Sequence, residues 1–162
     1  MNNITKYAVA AALAAIIARM TYFLLLAPDE EWDMYVRFAY LLLFLLALFL
    51  GLRAEKIDQP QSSFTTDIKT GMKITSIFAI IISSFTFLYY KWINPAFFAD
   101  KIQNVIDNAS GDQAENAQRW AELIFSPFSH STLTLLGVIV IGFFYTIILV
   151  MIMRRKPEIL IN

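Results

Sequence analysis

Cysteine is absent from the 162 residues and histidine occurs once. Without thiols there can be no disulfide, thiolate nucleophile or thiolate metal site. His130 has no second ligand-type side chain three or four positions away, so it builds no metal centre alone. It is expected to sit at the start of a helix at the membrane interface. Charge is also scarce. Only 16% of residues are charged, and 13 cations balance 13 anions, whereas soluble domains carry about 25%. No basic excess is left to displace counterions from phosphates, which argues against a nucleic-acid partner.

Glycine is sparse too. The 5 glycines are scattered, so no phosphate-cradling loop is formed. Gly137 and Gly142 stand too far apart for a Gly-x-x-x-Gly seam. Lys69-Thr70-Gly71 echoes part of the penicillin-binding signature but lacks the serine–lysine partner motif. Ser126, Ser129 and Ser131 flank His130 with no orienting acid close by in sequence. These patterns support no catalytic assignment, and neither an enzyme activity nor a cofactor is expected.

Long apolar runs are what the chain does have, with 58% hydrophobic and 15% aromatic residues. Four runs qualify as spans, at about Tyr7–Leu26, Val36–Leu52, Met72–Tyr90 and Leu133–Met153. A helix of roughly 20 residues crosses a hydrocarbon core of about 30 Å. Continuous apolar runs without two-residue alternation exclude barrel strands. The first run exceeds the roughly 7–15 residues of a secretory signal core. Pro28 stands where a cleavage site would want a small residue, so an uncleaved anchor is expected. The expected fold is all-α, a single transmembrane domain over residues 1–162 built as an integral membrane four-helix bundle.

Basic residues in short loops set orientation. Lys6, Arg53, Lys56, Lys69, Lys73, Arg154, Arg155 and Lys156 fall on one side. Arg37, Lys91, Lys101 and Arg119 fall on the other, together with Asp29, Glu30, Glu31, Asp33, Asp100, Asp107, Asp112, Glu115 and Glu122. Both termini are therefore expected in the cytoplasm. Trp32, Tyr35, Tyr89, Tyr90 and Trp92 mark the outer ends of spans, where amphipathic rings anchor at headgroup level.

Arg19 interrupts the first run roughly 13 residues in, about 20 Å along a helix. Ala8, Ala12, Ala15, Arg19 and Tyr22 share one helical stripe, and small residues on a stripe let membrane helices approach closely. The arginine is thus expected to face the bundle. No acid lies within any of the four runs, so its candidate partners are Ser83 and Ser84 of the third span, or Asp29 and Asp33 reached by snorkelling. An intramembrane charge warrants an anion-binding or gating hypothesis. The plainer alternative is a depth anchor tied to the acidic loop.

Between the third and fourth spans, residues 94–128 read as two short amphipathic helices. Asn94 and Pro95 suit a cap and first helical position, and Phe98, Ile102, Val105 and Ile106 follow at helical spacing. Asn108 to Asp112 break that helix. A second begins near Asp112, at capping-box spacing from Glu115, with Ala117, Trp120, Ala121 and Ile124 as its apolar stripe before Pro127. Trp120 and Glu122 are the candidate outer interaction surface, and the plainer alternative is a solvated reentrant connection between the two spans. Expected partners are the lipid bilayer and a second copy or another membrane protein.

"FTTDIKTGMKI", "YYKWINPAFFADKI" and "FSPFSHSTLTLLGVIVIGFF" with its "MRRKP" tail resemble a bacterial family of four-span membrane proteins, the domain of unknown function four-one-nine-nine. The resemblance rests on Phe64, Lys69, Gly71, Pro95, Pro127, Gly137, Arg155, Lys156 and Pro157. It covers the second half well and the first half in hydropathy only. It implies four spans in a bacterial inner membrane and no assigned activity. The sequence therefore points to an interaction or accessory component. The rival is a small oligomeric transporter or channel subunit, its cavity lined by Arg19, Ser83, Ser84 and Tyr145.

Overall fold

A computed structural model describes residues 3–26, 30–109 and 114–155, which form helices and no strand. The order is α1 (Asn3–Leu26), α2 (Glu30–Asp58), α3 (Phe64–Leu88), a π-helical turn (Tyr89–Ile93), α4 (Ala96–Asp107), α5 (Ala114–Ile124) and α6 (Pro127–Arg155). Four of these helices, α1, α2, α3 with its π turn, and α6, are long and apolar enough to cross a membrane. The protein is an all-α membrane helical bundle with two short amphipathic helices between its third and fourth spans.

Helix ends run past the apolar runs, and local chemistry explains why. Ser63 starts α3, its Oγ accepting the Thr66 N–H at 3.2 Å, a hydroxyl N-cap that satisfies one of the orphan donors there. The helix thus begins two turns before the expected span at Met72. Pro127 ends α5 as expected but also opens α6, where a missing N–H costs nothing. His130 consequently lies inside α6. Asn94 does not cap α4 with its side chain. Pro95 takes the N-cap place, and the Asn94 N–H closes the preceding π turn onto the Tyr89 carbonyl at 2.8 Å.

The chain divides into two compact units, Met1–Ile82 with Gly137–Asn162, and Ser83–Leu136. The first unit is a packed set of antiparallel helices. Its core takes Ala8, Ala12 and Ala15 from α1, Phe44, Leu48 and Leu52 from α2, and Ile74, Phe78 and Ile82 from α3, with Val150 and Met153 from α6. Near Gly51 three helices meet, since a Cβ there would lie 2.5 Å from Ile74 Cδ1 and 3.9 Å from Tyr7 Cβ.

Helices α3 and α6 meet through a reciprocal pair of notches. A Cβ on Gly71 would strike the Thr146 side chain, its Oγ1 at 2.6 Å and its Cβ at 3.0 Å. A Cβ on Gly142 would in turn strike Thr75 on α3 and come within 2.9 Å of Phe44 Cζ. Gly71 and Thr75 stand one turn apart on α3, as do Gly142 and Thr146 on α6, so two Gly-x-x-x-Thr segments interlock antiparallel. β-Branched threonine has few χ1 rotamers open to it in a helix. Both hydroxyls are buried without a hydrogen-bond partner among the described residues, so shape seats these helices. Close approach of small residues is how helices associate in lipid.

The second unit is built on rings. Tyr90 touches Phe97 at 4.9 Å between centroids, Phe98 at 4.7 Å and His130 at 4.9 Å, the last edge to face. Tyr89 and Tyr90 are thereby buried against protein at the end of the third span. Trp92 and Tyr35 are exposed. The Trp32 side chain lies outside the described residues.

Candidate functional site

The buried stripe of α1 is Ala8, Ala12, Ala15, Arg19 and Tyr22, the last two each 6% exposed. Because 3.6 residues make a turn, these positions stack along one side of the helix. Arg19 places its guanidinium carbon 5.7 Å from the Tyr22 ring centroid, within range for a cation–π contact. A permanent cation at this depth, on a face otherwise closed by alanine methyls, is the most unusual chemical feature of the first unit.

Ser83 and Ser84, the candidate partners from the third span, belong to the second unit. Ser83 is buried and Ser84 exposed, as follows from the roughly 100° between neighbours on a helix. Asp29 lies outside the described residues, as does the Asp33 side chain. Tyr145 is exposed.

A second charged feature, not singled out from the sequence, lies where α2, α3 and α6 meet. Asp67 is 8% exposed in the first turn of α3. Its Oδ2 accepts from Arg154 Nε at 2.9 Å and from a second nitrogen of that guanidinium at 2.7 Å. Lys56 Nζ donates to the same oxygen at 3.2 Å. Ser62 donates its hydroxyl to Oδ1. The Ser62 carbonyl in turn accepts from Arg154 and from Lys56. One carboxylate therefore ties the C-terminal turns of α2 and α6 to the N-terminal turn of α3. Arg154 also lies over the Phe64 ring at 5.8 Å. A carboxylate in the first turn and cations in the last turns also complement the helix dipoles.

This clamp escaped the sequence because Asp67 precedes the apolar run. The available signal was the helix-start pattern Ser63-Phe64-Thr65-Thr66, which moves the start of α3 upstream and brings Asp67 into the helix.

In the second unit, α4 buries Phe98, and α5 buries Ala121 at 3% exposure. Of the expected stripe only Ala121 is buried: Trp120 and Ile124 are open at 64% and 54%, together with Leu123 at 61%. The polar positions of α5 pair with one another. Arg119 reaches Glu115 at 2.8 Å, and Gln118 donates to Glu122 at 2.9 Å. The expected cap Asp112 lies outside the described residues. Among the described residues no group of three His, Asp or Glu side chains could hold a metal ion.

No curated protein and no solved structure matches the chain. A family model does match, over residues 6–155, which takes in all four spans together with the Asp67 clamp, the Arg19 stripe and the ring cluster. The chain belongs to the family described as "Protein of unknown function (DUF4199)".

Proposed function

We propose that this multi-pass membrane protein is a non-enzymatic inner-membrane component of a bacterium, working through contact with another membrane protein and with both termini in the cytoplasm. The supporting observation is the open face of α5. Trp120, Leu123 and Ile124 form an apolar row with Arg119 at its edge, and Glu122 is exposed on the far side of the helix. Aromatic anchors rimmed by polar groups are what protein interfaces use. The two glutamates of α5, Glu115 and Glu122, give the helix a net negative charge, which disfavours adsorption to an anionic leaflet.

A photo-crosslinking amino acid in place of Trp120 tests this in native membranes. A discrete protein adduct, lost when Arg119→Glu is added, is the expected result. Crosslinks to lipid alone overturn the reading. Orientation is read separately by reporters fused after Arg155. Activity of a periplasm-dependent reporter there would refute cytoplasmic termini, which the cation bias of Arg53, Lys56, Lys69, Lys73, Arg154 and Arg155 favours.

The burial of Arg19 favours a second reading, a small oligomeric transporter or channel subunit with the guanidinium drawing an anion into a polar cavity. Proteoliposomes holding the wild type and Arg19→Ala decide it. Chloride flux abolished by the substitution with an unchanged thermal midpoint supports permeation. No flux in the wild type, with a lower midpoint in Arg19→Ala, leaves the arginine as a depth anchor.

A further inference from the structure

Lys69 and Lys73 stand one turn apart on α3, both exposed, on the margin of a cleft of about 480 Å³ against the start of α1. All of its lining belongs to the first compact unit. Ile4, Met72 and Ile77 give it an apolar wall, while Thr5 and Ser76 contribute one hydroxyl from each helix. No acid occupies the positions three or four residues from either lysine. Among the described residues neither ammonium has a hydrogen-bond or ion-pair partner. The nearest carboxylate along α3, that of Asp67, is already taken by Lys56 and Arg154. Like charges at this spacing repel, and an anion between them would remove the repulsion.

The depth of the cleft identifies the anion. After Lys73 the chain carries no charged residue until Lys91, and on α1 Lys6 is followed by none until Arg19. The cleft therefore sits where both helices pass from polar to apolar sequence, at headgroup level. Its chemistry changes over the same short distance, from ammonium groups through hydroxyls to aliphatic side chains. A soluble anion would use only the first two of these. A phospholipid uses all three.

We propose that this cleft is a binding site for an anionic phospholipid of the surrounding bilayer. The headgroup phosphate lies between the Lys69 and Lys73 ammonium groups. Thr5 and Ser76 donate to its ester oxygens, and an acyl chain runs along Ile4, Met72 and Ile77. Basic pockets between membrane helices are suited to such headgroups. The site is independent of the α5 reading and would survive its failure.

Native mass spectrometry of the delipidated full chain in detergent is the test, with phosphatidylglycerol and phosphatidylcholine titrated in parallel. The expected result is selective retention of phosphatidylglycerol. The double substitution Lys69→Gln and Lys73→Gln weakens it about thirtyfold, from about fivefold per lysine. The double substitution Lys91→Gln and Lys101→Gln, equal in charge removed, leaves binding unchanged. Equal retention of the two lipids overturns the proposal, as does equal weakening by the two double variants. Competition by inorganic phosphate at concentrations comparable to the lipid also overturns it, in favour of a soluble anion. If the lysine variant does not fold, a photoactivatable phosphatidylglycerol on the wild type decides. Labels concentrated on residues 4–5 and 72–77 support the site. Labels spread over the exposed face of α6 refute it.

Discussion

Asp67 and Tyr90 are buried to a similar degree, at 8% and 5% exposure, in surroundings that share almost nothing. Asp67 collects a guanidinium, an ammonium and a hydroxyl, with Arg154 arriving from the far end of the chain. Tyr90 collects rings, one from its neighbour Tyr89, two from the helix that follows within a few residues and one from His130. The two arrangements should fail differently. In an ion cluster each member compensates the others, so deleting one leaves uncompensated charge where water is scarce. In a ring cluster each member adds its own contact, and deletions are graded. The first unit is therefore expected to be brittle at Asp67 and the second tolerant at Tyr90.

The largest effect should come from Asp67→Ala, which leaves Lys56 and Arg154 facing one another with only neutral Ser62 oxygens as acceptors. A loss of about 3–5 kcal/mol is expected, measured by thermal or chemical unfolding in detergent. A loss below about 1 kcal/mol would show that water already screens the cluster, and the contrast with Tyr90 would disappear.

Gly71→Val comes next. It tests whether packing rather than charge seats α3 on α6, because the new side chain must displace Thr146. A cost of about 1–3 kcal/mol is expected. The paired change Gly71→Ala with Thr146→Ala should recover part of it. No recovery would mean that the notch is not the contact that matters.

Tyr90→Leu keeps apolar volume and removes ring geometry. It should cost about 2 kcal/mol, its four ring contacts at about 0.5 kcal/mol each. A cost as large as that of Asp67→Ala would make the ring cluster the more brittle of the two. The smallest change is expected from Arg119→Ala on α5. Its pair with Glu115 joins side chains 74% and 78% exposed, and exposed i,i+4 pairs contribute about 0.3–0.5 kcal/mol. An effect above about 1 kcal/mol would indicate that this face is covered in the intact protein.

Some of this organisation could be read directly from residue order. The Ala8–Ala12–Ala15 stripe with Arg19 and Tyr22 follows from the helical repeat, and it is buried. Phe98 falls on the covered side of α4 for the same reason, whereas on α5 only Ala121 of the expected stripe is covered and Trp120 and Ile124 are exposed. Other features were hidden. The ring cluster around Tyr90 is one, because the π turn must carry the chain round before α4 can bring Phe97 and Phe98 against that ring. Gly71 and Gly142 look isolated because each one's partner is a threonine on a different helix, and no search within a single run pairs them. Asp67 was hidden by hydropathy itself, which places a helix where the chain is greasy and not where Ser63 starts it.

Composition and periodicity determined that the chain is helical, that four helices are apolar enough to cross a membrane, and which side of α1 turns inward. These properties depend on the character of neighbouring residues and on a fixed rotation per residue. Only the tertiary structure decided that Asp67 meets Lys56 and Arg154, and that two Gly-x-x-x-Thr segments interlock. Such pairings depend on the relative register of helices distant in sequence. That register is set by steric fit and charge at the contact itself, which no repeat along a single helix encodes.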